Sequence, residues 1–282
     1  MPSAPHGISP VRMRQTGRKG IFSQGKATGG GLPPPGPTPD GDSVGPCEEF
    51  PFPSSVEAAR LIQREIGSRI IREDAFTRFP PRYVAGADAA YSRDGTRVYG
   101  AVVVLRCPDL VVVEAQCVEL PIRFPYVPGL FAFREGPVLL DAWEQLRTMP
   151  DLVIFHGHGT AHPVGCGLAT HLGVLLDVPA IGVAGKPLGT AAVAPGEFRG
   201  ATYPVIIRGR PAGCAVRTRT GAREVYVSPG NRISLATAVW VVLATATRYR
   251  MPEPLRIAHR HAVECRAAGE GRGWSRESSS YD

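Results

Sequence analysis

The sequence predicts an α/β fold, in which a single domain is built on a mixed sheet with helices on both faces. Three β-rich segments come first and are separated by short turn signals, which is typical of an antiparallel meander. Helical and strand patterns then alternate, and this alternation predicts strands joined through helices. Together the two patterns indicate one mixed sheet.

A helix opens the predicted domain. Ser54 and Glu57 form a capping-box pattern ahead of apolar residues at helical spacing, which continue to Ile70. The turn signals SRDGT and RCPD separate the three strands of the meander. The elements expected after the first helix are strands at 83–91, 98–105 and 110–118, a helix at 137–147, a strand at 151–155, a helix at 164–176, strands at 180–184, 203–208 and 225–228, and a helix at 233–247.

Two segments of unusual composition flank the predicted domain. Residues 1–50 form a basic leader rich in Gly and Pro, which we expect to be disordered because it is too polar to bury. Residues 263–282 are expected to form a flexible tail. The ordered domain is therefore predicted to span residues 54–262.

The charge distribution gives little information about partners. The formal net charge is +7, but the first 30 residues carry five Lys and Arg residues and no Asp or Glu. The predicted domain is therefore only mildly basic, and the charge alone does not establish nucleic-acid binding. No apolar run approaches the roughly 20 residues that span a bilayer, and no secretory signal is evident, so we expect a cytoplasmic monomer.

The six cysteines are scattered, with no CxxC pair and no secretory context. A zinc knuckle needs paired ligand spacing, which this chain lacks. We therefore expect all six to be reduced and several to pack as small apolar side chains.

The segment 151–188 combines a strand, a polar Gly/His turn, a helix and a second strand. Its first strand ends at His156, and Gly157, His158 and Gly159 follow directly. Ligands and catalytic groups gather where the strands of an α/β sheet end, so this turn is the first place where the sequence predicts a site.

Three further features suggest chemistry, and each has a structural alternative. Asp88 lies within a predicted strand, where a carboxylate is costly unless it binds a cation or a donor; it could also be bound by solvent or a backbone N–H. Glu135 precedes Pro137 and could be an ordinary first-turn acid. The loop 125–128 carries two prolines and an aromatic ring, and could simply pack.

Four local sequences specify the fold and the function further. They are VAGADAAY around Asp88, PYVPGLFAFREGP around Tyr126 and Glu135, DLVIFHGHGTAHP around His156, and VYVSPGNRISL before the last predicted helix. Together with PEPLRIAHR near the C-terminus, they resemble the endonuclease V family, the nucleases that act on deaminated bases. The resemblance covers about residues 54–262 and implies a ribonuclease H-like fold.

The resemblance also implies a metal-dependent reaction. Asp88 would ligate a divalent ion that activates water against the scissile phosphate, and Glu135 would be a catalytic carboxylate that touches the ion through water or orients the nucleophile. The family reaction hydrolyses a phosphodiester 3′ to hypoxanthine and leaves a nick. Mg²⁺ is the cofactor that this comparison implies.

A second group of residues would recognise the lesion. The loop that carries Pro125, Tyr126 and Pro128 would act as a wedge in the duplex. Gly157 and Gly159, with the loop after strand 181–184, would form the pocket for the extruded base. His162 would be a catalytic or phosphate-contacting imidazole, although a lone histidine is more often structural.

Three positions depart from the family pattern. His156 stands where an aspartate usually completes the metal site, and Asn231 stands where a histidine usually follows the SPG turn. The lysine that usually follows GVA is replaced by Gly185, with Lys186 one step later. We assign Lys186, as a catalytic residue, to the phosphate that the usual lysine would contact. We assign Asn231 to the lesion, as a hydrogen-bond donor.

The replacement at His156 affects the choice of metal. Mg²⁺ prefers oxygen ligands, whereas an imidazole nitrogen suits Mn²⁺ and later transition metals, so the sequence favours Mn²⁺ over Mg²⁺ relative to the family. Losing a carboxylate also removes a negative charge and should weaken cation affinity. Asp151 is too far along the strand to substitute, at roughly 16 Å.

Three functions remain open. The first is a metal-dependent endonuclease that cuts inosine-containing DNA or RNA. The second is a catalytically impaired protein that still binds inosine-containing nucleic acid, which His156, Gly185 and Asn231 favour. The third is an unrelated hydrolase in which His156, His158 and His162 bind zinc.

Overall fold

An eight-stranded mixed sheet organises the protein, whose computed structural model describes residues 50–188 and 193–271. The elements in chain order are α1 (Val56–Ser68), β1 (Tyr83–Tyr91), β2 (Arg97–Arg106), β3 (Val111–Pro121), α2 (Ala132–Glu144), β4 (Leu152–His156), α3 (Leu168–Leu175), β5 (Ala180–Ala184), β6 (Thr202–Ile207), β7 (Arg210–Val216), β8 (Val225–Asn231), α4 (Leu235–Thr245) and α5 (Glu253–Gly269). The strand order is β3-β2-β1-β4-β5-β8-β7-β6. The meander β1 to β3 is antiparallel, and β4 pairs in parallel with both β1 and β5. The predicted mixed sheet is confirmed.

Helices cover both faces of the sheet, because alternate residues of the central strands point to opposite sides. Ala85, Ala87 and Phe155 pack with α1, α2 and α3 in one apolar core. Val84 and Ile154 pack with α4 and the start of α5 in the other. No helix in the described ranges is long and apolar enough to cross a membrane.

Several predicted boundaries were wrong. Helix α2 begins at Ala132 rather than at Pro137, which lies inside it and costs one helical hydrogen bond. Strand β7 was missed because its sequence, RPAGCAV, lacks a clear alternation. Phe50 is buried, so order begins before residue 54; residues 1–49, which hold nearly all of the predicted leader, lie outside the described part.

The C-terminal boundary also differs from the prediction of a tail from residue 263. Helix α5 continues through Gly269, because Leu255, Ala258 and Ala262 bury its apolar face against the sheet. Residues 272–282 lie outside the described part. The helix was hidden in the sequence by its high content of Arg, His and Glu.

A disulfide joins Cys117 of β3 to Cys265 of α5. The prediction that all the cysteines are reduced is therefore wrong for this pair. The two cysteines are 148 residues apart, so their sequence spacing gave no sign that they pair. Cys107, Cys166 and Cys214 are free thiols, as expected. The disulfide and the apolar face of α5 both hold this helix against the meander.

Strand register and one glycine bring the site residues together. Ala87 of β1 pairs with Phe155 of β4, so the next residues, Asp88 and His156, are neighbours on the face toward α5. On the same face, a side chain at Gly86 would overlap the carbonyl of Pro254. The backbone of α5 therefore lies directly on β1, beside Asp88.

His171 occupies the core on the opposite face. Its ring stacks on Phe50 at 5.5 Å and meets Phe133 edge-on at 4.9 Å. Neither ring nitrogen makes a hydrogen bond with the part of the chain that the structure describes. Burial lowers the pKa of His171 to about 3, so the ring is neutral and packs as an aromatic side chain.

We expect Gly86→Ala to destabilise the protein by at least about 2 kcal/mol, because the new methyl group must displace the α5 backbone. Urea unfolding measures this loss. Gly185→Ala is a matched control, since its methyl group would meet only the Arg250 guanidinium at an ordinary 3.7 Å. Equal stability of the two variants would contradict the close contact.

We expect His171→Phe to flatten the loss of stability in acid. The unfolded imidazole takes up a proton near pH 6.5 and the folded one only near 3, so stability falls as the pH drops between these values. Removing the imidazole should reduce the slope of the unfolding free energy against pH by up to about 1.4 kcal/mol per pH unit. Urea unfolding from pH 7 to pH 4 measures it, and parallel curves for variant and wild type would disprove the assignment.

Candidate active site

Asp88 is the centre of a polar corner at the end of β1. Its carboxylate is 5% exposed and is held by two imidazoles: His156 Nδ1 lies 3.0 Å from Oδ1, and His259 Nδ1 lies 2.8 Å from Oδ2. The backbone N–H of Ala89 also donates to Oδ1, at 2.8 Å. One carboxylate therefore joins β1, β4 and α5.

The corner is strongly charged. Burial opposes ionisation of Asp88, but the charge and hydrogen bonds of His156 and His259 outweigh it and hold the Asp88 pKa at about 2. Burial likewise opposes protonation of His156, yet the negative charge of Asp88 raises the His156 pKa overall. The ionised carboxylate thus favours the protonated form of His156.

Glu135 completes the corner from the other face of the sheet. It lies in the first turn of α2, is 5% exposed, and accepts a hydrogen bond of 2.9 Å from the hydroxyl of Tyr91. Burial, together with the nearby charge of Asp88, raises the Glu135 pKa to about 8. Two carboxylates that repel each other in a buried place are typical of a cation site or of an acid–base pair.

Arg134 supports this arrangement without entering it. Its guanidinium lies over the Tyr91 ring at 4.9 Å and donates to the carbonyl of Phe124 at 3.0 Å. Since Tyr91 donates to Glu135, Arg134 fixes the ring that orients the acid. It also ties α2 to Phe124, at the start of the loop that precedes the helix.

The loop 125–128 stands out from the surface between two buried anchors, Phe124 and Leu130. Tyr126 is 64% exposed and touches only the edge of Phe131, at a centroid distance of 5.8 Å. Pro125 and Pro128 are exposed as well. The structure therefore presents the predicted wedge residues to the solvent rather than packing them.

A cavity of about 330 Å³ lies behind this loop. Its lining residues are Arg60, Gln63, Arg64, Pro128, Gly129, Leu130, His162, Pro163, Val164 and Leu188. His162 Nδ1 accepts the N–H of Val164 at 3.3 Å, so the proton of the neutral ring sits on Nε2. Burial lowers the His162 pKa to about 4, which makes this ring a neutral donor.

The Nε2 atom of His162 is buried beside Gly129 and makes no hydrogen bond with any described residue. The charge of His156 acts on His158, and the charge of His158 acts on His162. His158 therefore lies between the His162 ring and the corner. The three rings have separate partners, since His158 Nε2 lies 3.1 Å from the carbonyl of Lys186. His156 Nδ1 lies on Asp88 and His158 Nε2 on the Lys186 carbonyl, so the three histidines do not converge on one position and the geometry does not support the zinc hypothesis.

The glycines of the turn are needed for packing. The N–H of Gly157 donates to the carbonyl of Val183, and that of Gly159 donates to Ser228 Oγ at 2.9 Å. A side chain at Gly159 would overlap the carbonyl of Pro229. The expectation that these two N–H groups contact the base is therefore not supported, because both already have acceptors within the protein.

The predicted contact of Asn231 with the lesion is also not supported. It pairs with Ala180 at the start of β5, whereas the corner lies at the far end of that strand. Its amide is fully used, since Nδ2 donates to the carbonyl of Gly173 and Oδ1 accepts the N–H of Ile71. The structure gives Asn231 a structural role, away from any lesion in the cavity.

Comparison with known proteins accounts for this combination of corner, loop and cavity. A model of the endonuclease V family matches residues 64–260. The endonuclease V of Roseiflexus sp. is 49% identical over 208 residues, which cover 74% of this chain and 92% of that protein. The relative from Trichormus variabilis is 45% identical over 215 residues, covering 76% and 97%.

The chain belongs to the endonuclease V family. It is therefore a nuclease, a hydrolase of phosphodiester bonds. The endonuclease V structure from Streptomyces avermitilis has 39% identity and a TM-score of 0.73, covering 78% of this chain and 96% of that one. This likeness confirms the ribonuclease H-like fold.

A more distant endonuclease V, from Ciona intestinalis, has been solved in complex with a 24mer DNA that contains an inosine followed by a ribo-adenosine. Its identity is 25% and its TM-score 0.66, and the match covers 74% of this chain and 96% of that one. That protein therefore combines the endonuclease V fold with bound DNA that contains inosine.

Two endonuclease V site residues were missed in the sequence. His259 follows PEPLRIA in the last motif, and only the packing of α5 on β1 brings it to Asp88. Arg250 is 6% exposed, and its guanidinium lies 3.7 Å from the position that a Cβ atom would take at Gly185. The charge of Arg250 acts on His156, so a buried cation lies beside the position that lacks the usual lysine.

Lys186 itself is exposed in the loop after β5, where its carbonyl is the partner of His158. Its ammonium group remains a predicted phosphate contact. Asp151 accepts the N–H groups of Arg82 and Tyr83 at the opposite end of the sheet, in agreement with its exclusion from the site.

Proposed function

We propose that this endonuclease V uses a divalent metal ion to hydrolyse a phosphodiester 3′ to hypoxanthine in nucleic acid. The observation that carries the proposal is the buried pair of Asp88 and Glu135, in which burial and then the charge of Asp88 raise the Glu135 pKa to about 8. A divalent cation between the two carboxylates would remove their mutual repulsion. The cavity behind the loop 125–128 would receive the extruded base.

The side chains of the corner are of the types that bind divalent cations, although they do not surround an ion position as they stand in the described part of the chain. Asp88 and Glu135 offer carboxylate oxygens, and His156 and His259 offer imidazole nitrogens, which together would hold the ion. The bound ion would supply an activated water and neutralise charge on the phosphate. Because two of the four donors are nitrogens, we infer that Mn²⁺ supports the reaction better than Mg²⁺.

Base recognition would use the loop and the cavity. Tyr126 is rigidly presented between two prolines and would insert beside the lesion, which pushes the hypoxanthine out of the stack. The volume of about 330 Å³ admits a purine, and the Nε2–H of His162 would donate to one of its ring or carbonyl acceptors. His162 thus contributes a hydrogen bond rather than a charge. Lys186 would contact the backbone phosphate from outside.

One observation favours a second function, that of an impaired enzyme which binds inosine-containing nucleic acid without cutting it. Both oxygens of Asp88 are occupied by imidazole nitrogens, which are 2.8 and 3.0 Å away. An ion would have to take the place of these contacts. The wedge and the cavity do not depend on the ion, so binding would survive a loss of catalysis.

We expect His156→Asp to shift the metal preference toward Mg²⁺. The added carboxylate attracts the cation more strongly, so the Mg²⁺ concentration for half-maximal cleavage of a single-inosine duplex should fall by at least about tenfold. His158→Asp is the matched control, because it adds the same charge to the same turn outside the corner.

The same assay separates the two functions. Cleavage by the wild type with Mn²⁺ supports the metal-dependent nuclease. If the wild type binds the duplex but only His156→Asp cuts it, the protein is the impaired binder. An unchanged Mg²⁺ requirement in His156→Asp would show that residue 156 does not face the ion.

We expect Tyr126→Ala to weaken binding to an inosine duplex by about tenfold, the value of one lost base–aromatic stack. Tyr126→Phe keeps the ring and should bind like the wild type. Fluorescence anisotropy with a labelled duplex in the absence of metal measures both. If the Ala variant binds as tightly as the Phe variant, the wedge role is ruled out.

A further inference from the structure

Helix α1 forms one wall of the cavity and places two arginines at its mouth. Arg60, Gln63 and Arg64 lie on the same side of the helix, at spacings of three and four residues, and all three line the cavity. Neither arginine belongs to the motifs that indicated the family. Helix α1 therefore contributes to the site in a way that the sequence did not suggest.

Gln63 fixes this wall in place. Its side chain is buried, and Nε2 donates to the carbonyl of Gly129 at 2.7 Å and to that of Cys166 at 2.7 Å. The first acceptor belongs to the loop that follows the wedge, and the second precedes α3. Because one amide ties the three segments together, the arginines on either side of it keep a constant position relative to the cavity.

The two arginines have no anionic partner within the described ranges. Both side chains are exposed, and no carboxylate there pairs with either guanidinium. Like charges four residues apart on a helix repel each other, so the pair costs stability unless an anion lies between or beside them. Guanidinium groups bind phosphate oxygens through paired N–H donors.

The inside of the cavity supplies the second, independent observation. His162 is 95% buried, and its Nε2–H has no acceptor in the described part of the chain. A ligand with a hydrogen-bond acceptor beside His162 and an anion at the mouth would match the side chains that line the cavity. A nucleotide has both, with the acceptors on its base and the anion in its backbone.

We propose that Arg60 and Arg64 bind the backbone phosphate of the nucleotide whose base occupies the cavity. This inference rests on the proposed function and extends it to residues outside the family motifs. The contact would carry no information about the base, which His162 contacts, but would set the position of the strand over the corner. Arg60 and Arg64 are binding residues in this scheme and take no part in the bond cleavage.

The test compares two double variants of the full chain that remove the same charge. Arg60→Ala/Arg64→Ala removes the proposed contact. Arg72→Ala/Arg78→Ala removes two other exposed arginines, which lie in the segment between α1 and β1, near Asn231 and so at the end of the sheet away from the corner. Affinity for a labelled single-inosine strand is measured by anisotropy in chelator, between 50 and 200 mM salt.

The slope of log affinity against log salt should become shallower by about 0.7 for Arg60→Ala/Arg64→Ala, since each phosphate neutralised on a single strand contributes about 0.7. Between 50 and 200 mM salt the variant should therefore lose about 2.6-fold less affinity than the wild type. The control pair should keep the wild-type slope, and all three proteins should melt at the same temperature.

An unchanged slope in Arg60→Ala/Arg64→Ala, or an equal change in both double variants, would overturn the phosphate contact. The proposed function is judged separately by the wild type. If the wild type binds inosine and guanosine strands equally, lesion recognition fails, while the salt slope still reports whether the two arginines touch phosphate.

Discussion

The buried carboxylate of Asp88 is the contact on which the rest of the site depends. It lies on a central strand where a charge is tolerated only with partners, and it has three: an imidazole from β4, an imidazole from α5 and the N–H of Ala89. These partners come from distant parts of the sequence. A single ionised group therefore fixes where β4 ends and how α5 lies against the sheet, and its charge also shifts the pKa values of His156 and Glu135.

Close backbone contacts make this corner possible. Gly86 lets α5 lie directly on β1 next to Asp88, and Gly159 lets the turn after β4 fold onto β8. The second contact directs the chain toward His162, which then faces the cavity. Small residues next to the site thus serve mainly to bring backbones together, and their N–H groups are used within the protein.

The corner and the cavity divide the chemistry between them. The corner is charged, and its two carboxylates are suited to a cation. The cavity is neutral inside, because burial keeps His162 unprotonated, and cationic only at its mouth, where Arg60 and Arg64 stand. Such a division matches a substrate whose reacting group is a phosphodiester and whose recognised group is an uncharged base.

The sequence by itself determined the mixed sheet, most of the elements, the exposed loop around Tyr126, and Asp88, Glu135 and His156 as neighbours in function. These follow from local patterns and motifs, which depend on residues close together in the chain. The metal role of His156 and the phosphate role of Lys186 remain predictions.

The tertiary structure alone decided the partners of those residues. His259 lies in the last motif and Arg250 just before it, whereas the α1 arginines precede the first motif; only the packing of helices on the sheet brings these residues to the corner and the cavity. The same packing moved Asn231 to the opposite end of β5 and paired Cys117 with Cys265. A periodic pattern shows which face of an element is buried, but which distant side chain meets it there depends on how the whole chain packs.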